Sequence, residues 1–352
     1  MYNKEMNISK RIKELQFIDQ NQLLTMLSII PLSYISAKFI SNNLKNYKIY
    51  KESINPVNIP LFPPPNISNN IELDITNIQN QDYYKYIYFF IQTLQNKLSP
   101  KELTLLYNNL KTLHISPFEE YAKKHKIDYT IVASYIIDNN TIVLNNNFTQ
   151  TIFHELLHCS SSYYDKINNI RYSGFMQSIN NKVAGKGLTE GYTQKLTEDF
   201  FKKEGYLINS YNYEKNAAKN TEKIIGKDKM QEFYFTANLE GLIKELSTYT
   251  TEEEIYKFIN DLDFIVYYLE LEKPPIYAIN IIINKIKNIN HFLIDTYLNK
   301  LTKGNKLDKI QIEYDIYEFL RLIPNGIIIN NQTYNIENSN YYQKKIIKKL
   351  IP

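Results

Sequence analysis

Two histidines and a glutamate stand at a spacing that can perform metal chemistry. His154, Glu155 and His158 form the pattern H-E-x-x-H, and residues four apart lie on the same face of a helix. Both imidazoles can therefore bind one metal ion, for which zinc is well suited. Glu155 lies about a third of a turn away, where it can reach a water on the metal without being a ligand. The pattern predicts a zinc site with Glu155 as general base; a buried helix whose histidines make ordinary hydrogen bonds is the alternative.

A catalytic zinc site needs a third protein ligand, which this pattern does not supply. The metzincin continuation of the pattern is absent, because Ser161 and Asp165 follow His158 with no Gly or His in the required places. Asp165 could bind a metal by its residue type, but nothing in its loop fixes it. Glu190 is the better candidate, since it opens a second helical pattern that runs to Phe201.

These residues resemble the gluzincin peptidases, the group that includes thermolysin and the aminopeptidase N type. The resemblance rests on H-E-x-x-H followed by a helix with Glu190-Gly191-Tyr192, and it implies Glu190 as the third zinc ligand. The chain is also similar to uncharacterised predicted metallopeptidases of low-GC bacteria and their mobile elements, over about residues 127–245. Between His158 and Glu190 there is room for a β-hairpin, with Arg171–Gln177 and Lys182–Lys186 as the predicted strands.

The chain departs from these relatives beside the third ligand. They usually read Leu-Asn-Glu-Gly-x-Thr-Glu, whereas Thr189 replaces the Asn and Gln194 replaces the second Glu. In thermolysin-like enzymes an acidic residue at that offset accepts a hydrogen bond from a ligand histidine. The resemblance therefore implies that Gln194 supports a ligand; a solvated helix residue is the alternative.

The resemblance implies a zinc-dependent peptidase that activates water on the metal, with Glu155 as base and then acid. The oxyanion that forms on the scissile carbonyl needs a further hydrogen-bond donor. Tyr172 is the candidate, although 31 tyrosines leave the choice open. The first alternative is a zincin-like binding or interaction protein that is catalytically weak. The second is a host-directed toxin protease. The presence of Glu155 favours an enzyme, because a degenerate site commonly loses the base.

The predicted fold class is α+β and zincin-like: a small mixed sheet and the active-site helix, followed by a mostly helical C-terminal region. Tyr129–Ile137 and Thr141–Asn145 are rich in β-formers around Asp138-Asn139-Asn140, which predicts a hairpin before the metal helix. Thr149 is the predicted N-cap of that helix. An edge strand in this place could hold an extended substrate.

Breaks in the sequence predict three regions. Residues 1–65 form an N-terminal helical segment with a Pro-rich connector, and residues 66–205 a zincin catalytic subdomain. Residues 206–352 form a helical C-terminal subdomain with a small hairpin around Asn330-Asn331. Within the second region, Ser99 is the predicted N-cap of a helix that begins at Pro100.

Charge and cysteine content limit the partners and the compartment. A net charge of +4, from 41 basic and 37 acidic residues, is too small to indicate nucleic acid, so a peptide or protein substrate is the expected partner. Cys159 is the single cysteine, which fits a reducing, cytoplasmic compartment; it faces about 100° away from His158 and is predicted to pack. The apolar stretch Leu23–Ile40 is interrupted by Pro31 and by polar residues, which favours a soluble helix; membrane association or secretion is the alternative.

Overall fold

The computed structural model describes residues 62–65, 83–125, 132–145, 151–180, 182–201, 211–269, 276–303, 309–323, 326–329 and 332–336. The chain divides into two compact units, one of residues 57–274 with 281–352 and one of residues 1–56 with 275–280. All described residues except 276–280 belong to the first unit. The predicted N-terminal helical segment, the apolar stretch Leu23–Ile40 and the N-cap Thr149 lie outside the described residues.

The described part of the chain is mixed α+β and mostly helical, with small sheets, which confirms the α+β class; the zincin-like arrangement stays a prediction. Among its helices, none has both the length and the apolar content that crossing a membrane requires. In chain order the elements are α1 (Tyr84–Gln95), α2 (Pro100–Leu110), β1 (His114–Pro117), α3 (Phe118–His125), β2 (Ala133–Ile136), β3 (Thr141–Leu144), α4 (Ile152–Ser160), β4 (Ser162–Asp165), β5 (Ile170–Ser173), β6 (Met176–Ile179), β7 (Lys182–Ala184), α5 (Lys186–Phe201), α6 (Asn212–Ile225), α7 (Lys227–Phe235), α8 (Leu239–Leu246), α9 (Glu252–Leu269), α10 (Ile276–Lys303), α11 (Lys309–Leu320), β8 (Gly326–Ile329) and β9 (Gln332–Asn335).

The first sheet has the order β1-β3-β2, with β1 parallel and β2 antiparallel to the buried strand β3. The predicted hairpin before the metal helix is confirmed as β2 and β3. Its first strand ends one residue earlier than predicted, at Ile136, because a 3₁₀ turn at Ile137–Asn139 follows and Asn140 adopts the left-handed region (φ 51°). The short strand β1 was not predicted. Among the described strands, this arrangement leaves β2 at an edge of the sheet.

The second sheet is an antiparallel meander in the order β4-β5-β6-β7. The sequence predicts one strand over Arg171–Gln177, and this is wrong: Gly174 adopts a φ of 56° and turns the chain, which splits the stretch into β5 and β6. A side chain at Gly174 would also meet the ring of Tyr234 at 2.6 Å. The predicted strand Lys182–Lys186 ends early, since Lys186 already begins α5.

Stacked aromatic rings join the helices that carry the candidate ligands. The rings of Phe153 on α4 and Phe201 on α5 lie 4.4 Å apart and nearly parallel. Phe90 on α1 stacks on Phe201 at 5.4 Å and on Phe153 at 6.4 Å. Such pairs contribute about 0.5–1.5 kcal/mol beyond their buried area. This core fixes α4 against α5, and thus the two halves of the site against each other.

The helix before this core begins as predicted. Ser99 caps α2, and its hydroxyl accepts from the backbone N–H of Glu102 while the Glu102 carboxylate accepts from the backbone N–H of Ser99. From α2, Asn109 donates its amide to the carbonyl oxygens of Cys159 and Ser162, at 2.7 and 2.8 Å. The position of α2 is thereby tied to the end of α4.

Helix α6 packs closely along α5, on the far side of the predicted boundary between residues 205 and 206. Lys195 pairs with Glu222 at 2.6 Å, and Lys215 pairs with Glu198 at 2.6 Å, all four side chains being largely buried. Gly226 (φ 97°) separates α6 from α7, and the predicted C-terminal hairpin is confirmed as β8 and β9. The division into subdomains stays a prediction.

Candidate metal centre

Helix α4 carries the H-E-x-x-H residues, and its apolar side chains pack in the hydrophobic core. Ile152, Phe153, Leu156 and Leu157 are buried, each at most 1% exposed. Because those apolar residues alternate with the polar ones at helical spacing, burial of one side presents His154, Glu155 and His158 together on the other. The predicted placement of the pattern on a helix is confirmed.

Three consecutive serines, which follow Cys159, end α4 just after the second histidine. Ser160 donates its hydroxyl to the carbonyl of Leu157 at 2.7 Å, and Ser162 donates to the carbonyl of His158 at 2.7 Å. Ser161 also donates to Leu157, at 3.1 Å. Carbonyls at a helix end lack partners within the helix, and these hydroxyls supply them. The chain can therefore turn at once into β4, which places the second sheet beside the site.

The structure brings His154, His158 and Glu190 together. The Nε2 atoms of the two histidines are 3.1 Å apart, and Glu190 Oε2 lies 3.4 Å from His154 Nε2 and 3.3 Å from His158 Nε2. Their side chains are only 12, 10 and 14% exposed. Among the described residues, this is the one group of three or more His, Cys, Asp or Glu side chains whose ligand atoms lie within 4.8 Å of each other.

The spacing of these atoms fits a tetrahedral zinc site. Zinc binds histidine nitrogen and carboxylate oxygen at about 2.0–2.2 Å, so two ligand atoms on a tetrahedron lie about 3.3–3.5 Å apart. Distances of 3.1, 3.3 and 3.4 Å agree with this edge length within the usual tolerance of about 0.2 Å. A set of three protein ligands leaves a fourth position for water or substrate, as in catalytic zinc sites.

Glu190 has the charge that such a ligand needs. Burial alone raises the pKa of this carboxyl, but the charge of His158, hydrogen bonds from both histidines and the charge of His154 outweigh burial. Together they hold the pKa of Glu190 well below its usual range. An ionised carboxylate and two imidazoles form the donor set of two nitrogens and one oxygen that zinc accepts in hydrolases.

The far side of the site is supported by the turn between β5 and β6. The Ser173 hydroxyl lies 3.5 Å from Nδ1 of His158, on the ring nitrogen that faces away from Glu190. Thr189, next to Glu190 in the chain, donates its hydroxyl to the carbonyl of Ser173 and accepts from the backbone N–H of Phe175, at 3.1 and 3.0 Å. One short turn thus contacts the second histidine and the start of the Glu190 helix. Neither contact was predicted.

Glu155 is buried beside the ligands, against the edge strand β2. It is 7% exposed. Burial raises the pKa of Glu155 to about 7; the charge of His154 and a hydrogen bond from the backbone of Tyr135 oppose this rise, and the charge of Glu190 adds to it. A general base works best when its pKa lies near the operating pH. Its burial beside the ligands and a pKa near neutrality in the metal-free chain are both compatible with the predicted role of a base.

The structure does not bring Tyr172, the predicted oxyanion donor, to the ligands. Its side chain packs in a buried cluster with Leu105, Ile170 and Ala237. Neighbouring side chains on a strand point to opposite faces, so Tyr172 faces away from the side on which Ser173 meets His158. Tyr172 lies between the ligands His158 and Glu190 in the sequence, but the alternation of side chains along β5 directs its ring into the core.

Another tyrosine lies against the site instead. The ring of Tyr211 is 5.9 Å from the His154 ring and nearly parallel to it, with an interplanar angle of 17°. Tyr211 precedes α6 and adopts a left-handed backbone conformation, φ 54°. That conformation is uncommon for a residue with a bulky side chain. No periodicity or motif in the sequence pointed to this residue.

The remaining candidates have other partners. The Gln194 side chain is 2% exposed and donates to Glu198 at 3.2 Å, so it is not a solvated residue; its predicted contact with a ligand histidine stays a prediction. Asp165 accepts from the backbone N–H groups of Ile167 and Asn168 and closes the β4–β5 turn. Cys159 is buried, as predicted, and burial raises the pKa of its thiol to about 12.

No family model, curated protein or solved structure matches the chain. The gluzincin resemblance therefore stays a prediction from the motif residues.

Proposed function

We propose that this chain is a zinc-dependent peptidase of the gluzincin kind. The observation that carries the proposal is the convergence of His154, His158 and Glu190 at the edge lengths of a tetrahedral zinc site. A buried glutamate beside them, Glu155, makes this more than a structural metal site, because structural zinc sites have four protein ligands and no adjacent base. These residues would hold the zinc ion, which would supply Lewis acidity to activate a water molecule.

The protein side of the reaction is assigned to Glu155. Its carboxylate accepts a proton from the attacking water and then returns that proton to the leaving amine, as general base and general acid. The backbone of Tyr135 holds the carboxylate by a hydrogen bond, and burial excludes bulk water from it. Ser173 restrains the orientation of the His158 ring through Nδ1; such outer contacts fix the ring and its tautomer.

The edge strand β2 is the proposed place for the substrate backbone. It pairs on one side with β3, and its other side is an edge of the described sheet. The hydrogen bond between Tyr135 and Glu155 places this strand next to the base. An extended peptide can add to such an edge by backbone hydrogen bonds. The proposed substrate is therefore a peptide or protein in extended form. The proposed compartment is the cytoplasm, because the single cysteine Cys159 fits a reducing environment.

The test combines metal analysis of the purified protein with a peptide-library digest. Wild type should hold about one zinc per chain and cleave peptides, whereas Glu155→Gln should hold zinc and lose about 10²–10⁴ in rate. Glu232→Gln is the matched control, since this exposed residue pairs with Lys101 on the surface; it should behave as wild type. Hydrolysis by Glu155→Gln at the wild-type rate would remove the proposed base. Zinc without hydrolysis in wild type would instead support a binding protein.

A further inference from the structure

A carboxylate from the C-terminal helical region binds the start of the Glu190 helix. Asp263, on α9, accepts from the backbone N–H of Gly187 with Oδ1 at 2.7 Å and from that of Gly185 with Oδ2 at 2.8 Å. Helix α5 begins at Lys186, so both donors belong to its first turn or the residue before it. The first N–H groups of a helix have no partner within the helix. Asp263 supplies one partner for two of them and places a negative charge at the positive end of the helix dipole.

The two helices touch at the level of the backbone at this point. A side-chain carbon on Gly187 would lie 2.7 Å from the backbone carbon and oxygen of Leu262. Real contacts of this kind are essentially never below 3.0 Å, so the approach requires glycine. The Asp263 hydrogen bonds therefore act across a close contact in which the first turn of α5 has little room to move.

Glu190 follows the bound segment by one helical turn. Thr189 holds one side of this turn through the carbonyl of Ser173, at 3.1 Å. Asp263 holds the other side through Gly185 and Gly187. The ligand carboxylate is thus carried by a turn that is held from two directions, by the second sheet and by α9.

We propose that Asp263 is a positioning residue for the metal centre, which orients Glu190 by holding the first turn of α5. This role rests on the proposed function for the identity of the metal, but its readouts are metal affinity and amide exchange rather than hydrolysis. Burial raises the pKa of Asp263 to about 6, against hydrogen bonds from Gly187 and Gly185, so experiments at pH 8 examine the ionised carboxylate.

The test compares Asp263→Asn with Asp261→Asn. In Asp263→Asn one oxygen becomes an NH₂ group, which faces a backbone N–H and cannot accept from it. Asp261 is two residues away on the same helix and pairs with Lys285 at 2.5 Å. Its substitution removes a buried charge from α9 without touching α5, which makes it a matched control for lost stability.

Zinc affinity is measured by competition with a chelating dye at pH 8, and amide exchange by mass spectrometry on metal-free protein. For Asp263→Asn we expect zinc affinity to fall about 10–100-fold, the usual cost of losing an outer contact of a metal site. Exchange at Gly185 and Gly187 should become faster in the same variant. Asp261→Asn should keep the zinc affinity of wild type and the slow exchange at these two amides.

Equal zinc affinity in wild type and Asp263→Asn would overturn the role, as would equal losses in the two variants. If Asp263→Asn does not fold, Asp263→Glu decides the matter, because it keeps the charge and shifts the oxygens by one methylene. In Asp263→Glu we expect the exchange at Gly185 to stay slow while zinc affinity falls, and wild-type zinc affinity in this variant would refute the role. A wild-type protein that binds no zinc would overturn the metal assignment together with this role.

Discussion

Gly191, which follows the third candidate ligand, tests whether the close packing of α5 and α6 positions Glu190. A side-chain carbon at this position would lie 2.2 Å from the carbonyl oxygen of Glu214, 2.3 Å from its carbonyl carbon and 2.8 Å from the nitrogen of Lys215. All three are backbone atoms of α6 and cannot rotate away. Gly191→Ala must therefore push the helices apart by about 1 Å at the residue after Glu190, by the usual limit on contact distances.

The expected cost follows from two opposing effects. Alanine in place of glycine within a helix stabilises by about 1 kcal/mol. Overpacking costs typically about 1–3 kcal/mol and occasionally more, and a backbone obstacle favours the upper end. We expect the free energy of unfolding to fall by about 2 kcal/mol. A displacement of about 1 Å at a catalytic group can cost about 10²-fold in rate, so zinc affinity and hydrolysis should fall as well.

Gly226→Ala is the matched control. Gly226 has φ 97° and ψ 148°, and a side-chain carbon there meets nothing within 4 Å. Such a conformation costs a residue other than glycine about 1–3 kcal/mol, so stability should fall by a similar amount without any change at Glu190. Urea unfolding and zinc competition measure the two effects separately. Wild-type zinc affinity in Gly191→Ala, or an equal loss in both variants, would refute this account of Gly191.

Three further outcomes are expected. Because burial raises the pKa of Glu155 from 4.5 to about 7, the folded metal-free chain binds this proton more tightly than the unfolded chain, and its free energy of unfolding falls as pH rises from about 4.5 to 7. Glu155→Gln should remove most of this pH-dependent fall in the free energy of unfolding, which amounts to about 3 kcal/mol. Urea unfolding at several pH values, with a chelator present, measures the effect. A variant with the pH profile of wild type would contradict the prediction. Glu190→Ala should lose zinc while Asp165→Ala keeps it, and the reverse result would assign the third ligand to Asp165. Because the ring of Tyr211 lies against His154, we expect it to serve as oxyanion donor in place of Tyr172: Tyr211→Phe should slow hydrolysis and Tyr172→Phe should not, as measured by kcat/KM on one peptide. Equal rates for both variants would exclude Tyr211 as the donor.

The part of the site that depends on local geometry could be predicted from the sequence. His154 and His158 meet because residues four apart share a helix face, which holds wherever the helix forms. The position of Glu155 follows from the same helix geometry. The adjacent edge strand was predicted from a hairpin pattern, which is also a local feature of the sequence. Glu190 required a resemblance, because no periodicity relates it to a helix 32 residues earlier.

Some features near the site could not be predicted, because they depend on backbone conformation and on which face of a strand packs in the core. The β-forming run Arg171–Gln177 continues across Gly174, but the left-handed conformation of that glycine divides the run into two strands. The placement of Tyr172 has a separate cause, since alternation along β5 turns Ser173 towards His158 and Tyr172 into the core.

The supports of Glu190 lie far away in the chain, which is why the sequence could not indicate them. Asp263 is 76 residues from Gly187, and Glu214 approaches Gly191 from a separate helix. Both lie beyond the predicted boundary at residue 205, in a region whose sequence reads only as helical. Side chains in that region satisfy the first turn of α5, and its backbone limits the residue after the ligand. The proposed catalytic centre is therefore built from both sides of this boundary: the earlier region supplies the ligands and the base, and the later region holds the ligand helix in place.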